Sequence, residues 1–78
     1  MLGTRLSFEC SDAPSCTVIF EPDGFEAKLT NGDALRAEFR GGEELGVIEV
    51  THRPNSISVW ARSGAETSVW RKSGEQIY

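Results

Sequence analysis

Residues 24–42 read GFEAKLTNGDALRAEFRGG, and their alternation leaves the chain little choice of local structure. Phe25, Ala27 and Leu29 alternate with Glu26 and Lys28, while Leu35, Ala37 and Phe39 alternate with Arg36, Glu38 and Arg40. A period of two sends successive side chains to opposite faces, so the stretch predicts two half-buried strands. Between them lies Thr30-Asn31-Gly32-Asp33, whose Asn-Gly tolerates positive φ and predicts that the two strands pair as a hairpin. A two-residue loop would place Lys28 opposite Leu35 and turn one strand inside out, so an odd loop is required. Three residues would set Lys28 against Arg36 and Glu26 against Glu38. Five would set Lys28 against Glu38 and Glu26 against Arg40, which cross-strand charge favours.

The same alternation recurs on both sides. Leu6, Phe8 and Cys10 share one face of an N-terminal strand and Arg5, Ser7 and Glu9 the other. Cys16 to Glu21 carries Val18, Ile19 and Phe20 in succession, as a central strand can. The turn-forming Ser11-Asp12-Ala13-Pro14-Ser15 between them predicts a pairing of Cys10 with Cys16, Phe8 with Val18 and Leu6 with Phe20. Pro22-Asp23-Gly24 makes the next turn. A further strand is expected from Leu45 to about Thr51, ended by Arg53-Pro54-Asn55 because proline lacks the N–H of a central strand. Ser58-Val59-Trp60-Ala61-Arg62-Ser63-Gly64 then recurs as Ser68-Val69-Trp70-Arg71-Lys72-Ser73-Gly74, which predicts two adjacent strands each closed by a turn. No helical period occurs. The expectation is one all-β domain over residues 1–78, a small antiparallel barrel or sandwich of seven to eight short strands. Its core is predicted to be Phe8, Val18, Phe20, Leu29, Leu35, Phe39, Val59 and Val69.

Seventy-eight residues leave room for a single core. No stretch approaches the ~20 apolar residues of a membrane-spanning helix, and the first ten residues lack the apolar run of a signal peptide. A complete chain is therefore expected in the cytoplasm, and a processed domain in the periplasm or outside the cell. The net charge of −4 is uneven: residues 1–52 hold ten acids and four bases, and residues 53–78 two acids and four bases. Excess acid disfavours direct nucleic-acid binding, which needs Lys and Arg to displace counterions. It suits a protein partner with a cationic groove.

Catalytic patterns are missing. His52 is the only histidine, no Gly-x-Ser-x-Gly elbow occurs, and two cysteines with one histidine fall short of a four-ligand structural zinc site. Gly41-Gly42 lacks the Lys-Ser/Thr of a phosphate loop and precedes Glu43 and Glu44. The expectation is no enzyme, no metal and no cofactor. Cys10 and Cys16 could form a short-loop disulfide worth about 2 kcal/mol, or remain two buried thiols in a reducing compartment. Two candidate binding surfaces stand out. Trp60 shares a strand face with Ser58 and Arg62, and Trp70 with Ser68 and Lys72. Were Val59 and Val69 to face the core, Trp60, Arg62, Trp70 and Lys72 would form an outward ledge of hot-spot composition. A two-residue Ser63-Gly64 loop would instead put the tryptophans on opposite faces. The second surface is an acidic arc of Glu38, Glu43, Glu44 and Glu49.

Phe8-Glu9-Cys10-Ser11-Asp12, the run from Thr17 to Gly24, Ala27-Lys28-Leu29 and Asp33-Ala34-Leu35-Arg36 together resemble the bacterial membrane-bound inhibitors of c-type lysozyme. Val59 to Glu66 resembles the Trp-x-Lys-Gly turn of that family, with Arg62 in place of lysine, and Leu45-Gly46 stands where the family has Ser-Gly. The resemblance implies a small β-barrel that binds and blocks another protein, with Leu45, Gly46 and Arg62 near the contact. With leucine and arginine at those positions, inhibition of lysozyme itself is expected to be weak. Two other functions fit the residues: a phage or mobile-element inhibitor of anti-CRISPR type whose acidic arc mimics nucleic acid, and a single-strand nucleic-acid binder stacking bases on Trp60 and Trp70 beside Arg62 and Lys72.

Overall fold

The computed structural model describes residues 3–41, 46–62 and 64–78. Seven strands account for most of them: β1 (Gly3–Glu9), β2 (Ser15–Glu21), β3 (Phe25–Thr30), β4 (Ala34–Arg40), β5 (Glu49–Arg53), β6 (Ser56–Trp60) and β7 (Glu66–Arg71). They form two sheets packed as a sandwich, one of three strands in the order β1-β4-β7 and one of four in the order β3-β2-β6-β5. The all-β expectation holds, as an open sandwich with no closed barrel.

The core is the inward side of both alternations. Phe8, Val18, Phe20, Leu29, Leu35, Phe39, Val59 and Val69 are all buried, joined by Cys10, Ala27, Ala37 and Ala61. Phe20 is the hub. Its ring meets Phe8 edge-on at 5.9 Å, Phe39 at 6.3 Å across the sandwich and Phe25 at 6.2 Å along its own sheet.

Three pairings differ from those the sequence suggests. β3 and β4 do not form a hairpin: β3 lies beside β2, β4 lies between β1 and β7, and the Asn31-Gly32-Asp33 connection arches from one sheet to the other. The arch spends its hydrogen bonds on β1 instead of on a hairpin ladder. Gly32 N–H donates to the Cys10 carbonyl at 2.8 Å, Cys10 N–H to the Asp33 carbonyl at 3.0 Å, and Asp12 N–H to Asn31 Oδ1 at 2.9 Å. Gly32 has a φ of 90°, which glycine adopts without steric cost. β1 and β2 likewise face each other across the core, so the expected Phe8–Val18 and Leu6–Phe20 ladder does not form. Last, β2 and β6 run parallel, with Phe20 beside Val59 and Glu21 beside Trp60. Alternation decides which face is buried, and both arch and hairpin satisfy it.

The sheets are unequal. β7's outer edge is closed by the C-terminal residues, with Ile77 N–H donating to the Val69 carbonyl at 2.8 Å and Arg71 N–H to the Glu75 carbonyl at 2.7 Å. Tyr78 then stacks on Phe25 at 4.3 Å, which places β7 over β3. At the other side β5 is the fourth strand of a sheet whose partner has only three. All five of its residues are exposed, including the inward-pointing Val50.

Candidate interaction surface at the β5–β6 end

Val59 and Val69 are buried, so each tryptophan points away from the core as the alternation requires. Their strands belong to different sheets. Trp60 lies on the outer face of the four-stranded sheet, and Trp70 on the outer face of the three-stranded sheet, on the opposite side of the molecule. One continuous ledge of Trp60, Arg62, Trp70 and Lys72 is therefore not formed. Trp70 is half-buried beneath the Arg36 guanidinium, which sits 4.9 Å from its ring centre. The two residues are direct cross-strand partners, so this cation–π contact follows from the β4–β7 register. Lys72 Nζ donates to the Gly32 carbonyl at 3.4 Å, at the arch.

The acidic arc is divided as well. Glu38 lies on the outer face of the three-stranded sheet, 3.3 Å from Arg5 Nε and 3.4 Å from Arg40 Nη1, and its charge is compensated there. Glu49 lies on β5 in the other sheet. Glu43, Glu44 and Leu45 fall outside the described residues.

What the structure does bring together lies around Trp60. Its ladder neighbours on the outer face are Glu21 on β2 and Glu49 on β5. Gly46, Val47, Glu49, Trp60, Ala61 and Arg62 line an open groove of about 400 Å³. Val47 is 80% exposed, Val50 54% and Trp60 47%. Of the residues expected near a contact, Trp60, Arg62, Gly46 and Glu49 meet here. Glu21 escaped notice because it reaches Trp60 through a parallel pairing between strands 35 or more positions apart, which alternation cannot report. Val50 escaped because its inward parity makes it look like core, and only the missing strand above β5 exposes it.

A second cavity, about 320 Å³, opens between the end of β1 and the β5–β6 turn, with Cys16, His52 and Arg53 among its walls. Cys16 Sγ lies 2.6 Å from Cys10 Sγ, and both are free thiols. The hydrogen bond with Cys16 and burial hold the Cys10 proton and push its thiol up to about 11, away from nucleophilic use near neutral pH. Among the described residues, no three His, Cys, Asp or Glu side chains cluster to hold a metal, and no helix is long and apolar enough to cross a membrane.

No family model, no curated protein and no solved structure matches this chain.

Proposed function

We propose that the protein is a non-enzymatic binding domain that inhibits another protein by covering a site on it, using the outer face of the four-stranded sheet around Trp60. One observation carries this reading: Trp60 and Val47, two exposed large apolar side chains, line one open groove at this end of the molecule. Exposed apolar surface rimmed by charge is what protein interfaces use, and tryptophan is a common anchor in them. Glu21 and Glu49 give that anchor an anionic rim, suited to a partner with a cationic groove. The resemblance to inhibitors of c-type lysozyme supports the same mode of action. The nucleic-acid-mimic alternative draws less support, because Glu38 is compensated by Arg5 and Arg40.

Calorimetric titration against a c-type lysozyme and, separately, a Cas9-type nuclease tests the reading. The lysozyme complex is expected to be weak and to slow turnover little at equimolar protein, since leucine at position 45 offers no side-chain hydrogen bond and arginine at 62 replaces lysine. Trp60→Ala should weaken binding by about 30-fold, the hot-spot range, at low and moderate salt alike. Glu21→Lys should weaken it mainly at low salt. Binding to neither probe, or a Trp60→Ala variant that binds like wild type, overturns the proposal. A complex confined to the nuclease and lost with salt replaces it with the acidic-mimic reading.

A further inference from the structure

We infer that the chain associates with a second copy of itself by antiparallel pairing of β5 with β5 of the partner, giving one continuous eight-stranded sheet. The hydrogen-bonding parity of β5 is set by its neighbours. Asn55 accepts from Thr17 N–H and Ala61 donates to the Glu21 carbonyl, so the odd residues of β6 face β2 and the even ones, Ser56, Ser58 and Trp60, face β5. Their partners Arg53, Thr51 and Glu49 therefore turn their backbone groups inward to β6. The N–H and C=O groups of Val50 and His52 point to the open edge, where unpaired backbone is a template for another strand.

Two-fold pairing centred on Thr51 uses those groups. Val50 and His52 exchange bonds with His52 and Val50 of the second copy, and Glu49 falls opposite the second Arg53 in the non-bonded position where side chains stand closest. Both ends of the five-residue strand thus gain a Glu–Arg pair, on the same outer face. Glu49 has no ion-pair partner among the described residues, and Arg53 spends one donor on Ser58 Oγ at 2.9 Å, leaving others. Moving the axis by one residue either way keeps the backbone parity but sets Glu49 or Arg53 against Thr51, so charge selects the centred register.

β5 is also the edge with most to gain. Pairing there covers Val50, 54% exposed, with the imidazole of the second copy. The edge of β3 could pair Glu26 with Lys28 of a second copy, in hydrogen-bonded positions, but its inward Ala27 and Leu29 are already buried. β7 is closed by the C-terminal residues, and Arg5 on β1 is engaged by Glu38.

Sedimentation velocity of the full chain, with no partner protein present, tests this from about 10 μM to 1 mM, the range for a small transient interface. Wild type should shift from monomer to dimer, with Trp60→Ala shifting in the same way. Arg53→Glu and Glu49→Arg each turn two attractive pairs into two repulsive ones, and each should weaken dimerisation at least tenfold. An equimolar mixture of the two variants places opposite charges at both pairs and should restore the dimer. Circular dichroism of each variant establishes that it is folded. A wild type monomeric at 1 mM, folded variants that dimerise normally, a folded mixture that stays monomeric, or a dimer lost on Lys28→Glu but not on Arg53→Glu, overturns the inference.

Discussion

Cys10 shows how one residue's protonation links to the stability of the fold. Its thiol has an ordinary pKa of 9.0, raised to about 11 first by the hydrogen bond with Cys16 and then by burial. A raised pKa means that, between these values, the folded state keeps a proton the unfolded chain releases. The stability this contributes is fully present below pH 9 and is lost as pH rises through 11. Tyr78, whose hydroxyl donates to Asp23 at 2.7 Å, is shifted up by that bond and adds a loss of the same sign. The melting temperature of the reduced protein is expected to fall across that window, and to fall less in Cys16→Ala with Tyr78→Phe. A flat profile from pH 9 to 11 contradicts the hydrogen-bonded thiol pair.

At the scale of elements, the arch between β3 and β4 is the feature that departs most from the sequence pattern. Lys28 projects from the outer face of the four-stranded sheet and Glu38 from the outer face of the three-stranded one. A hairpin with a five-residue loop would make them direct partners. In the sandwich they are on opposite sides, so a double-mutant cycle of Lys28→Ala with Glu38→Ala should show coupling below about 0.5 kcal/mol. The cross-strand pair Arg5 and Glu38 should couple by up to about 1 kcal/mol, as exposed ion pairs do. Coupling at Lys28–Glu38 larger than at Arg5–Glu38 restores the hairpin. The Trp repeat follows the same logic: identical local patterns enter different sheets, because Val59 and Val69 need the same core but not the same neighbours.

At the scale of the molecule, stability rests on a small aromatic core shared by two sheets. Phe39 is buried among it and, with Phe8, supplies the three-stranded sheet's aromatic contacts to Phe20. Phe39→Ala should cost about 3–5 kcal/mol. Against a total of roughly 4–12 kcal/mol for a chain this long, that removes from about a quarter of the stability to all of it. Chemical denaturation measures it, and a loss under about 1 kcal/mol means the sheets do not meet through this ring. Pairing four strands against three also exposes Val50 and the β5 edge at the end that carries Trp60.

All eight expected core residues and most strand positions were legible in the sequence, because a period of two is a local property of neighbouring side chains; the strand expected from Leu45 to about Thr51 instead runs Glu49–Arg53, with every residue exposed, because nothing packs above it. Trp60's outward direction was legible for the same reason. Tertiary structure alone decided which strands became neighbours: the arch at Gly32, the parallel β2–β6 ladder and the separation of Trp60 from Trp70. Strand partners are chosen by the hydrogen bonds of turns, such as Gly32 to Cys10, and by the fit of two faces around Phe20. Neither leaves a periodic trace, so Glu21 joined the candidate surface, and Val50 became exposed, only when the sheets were assembled.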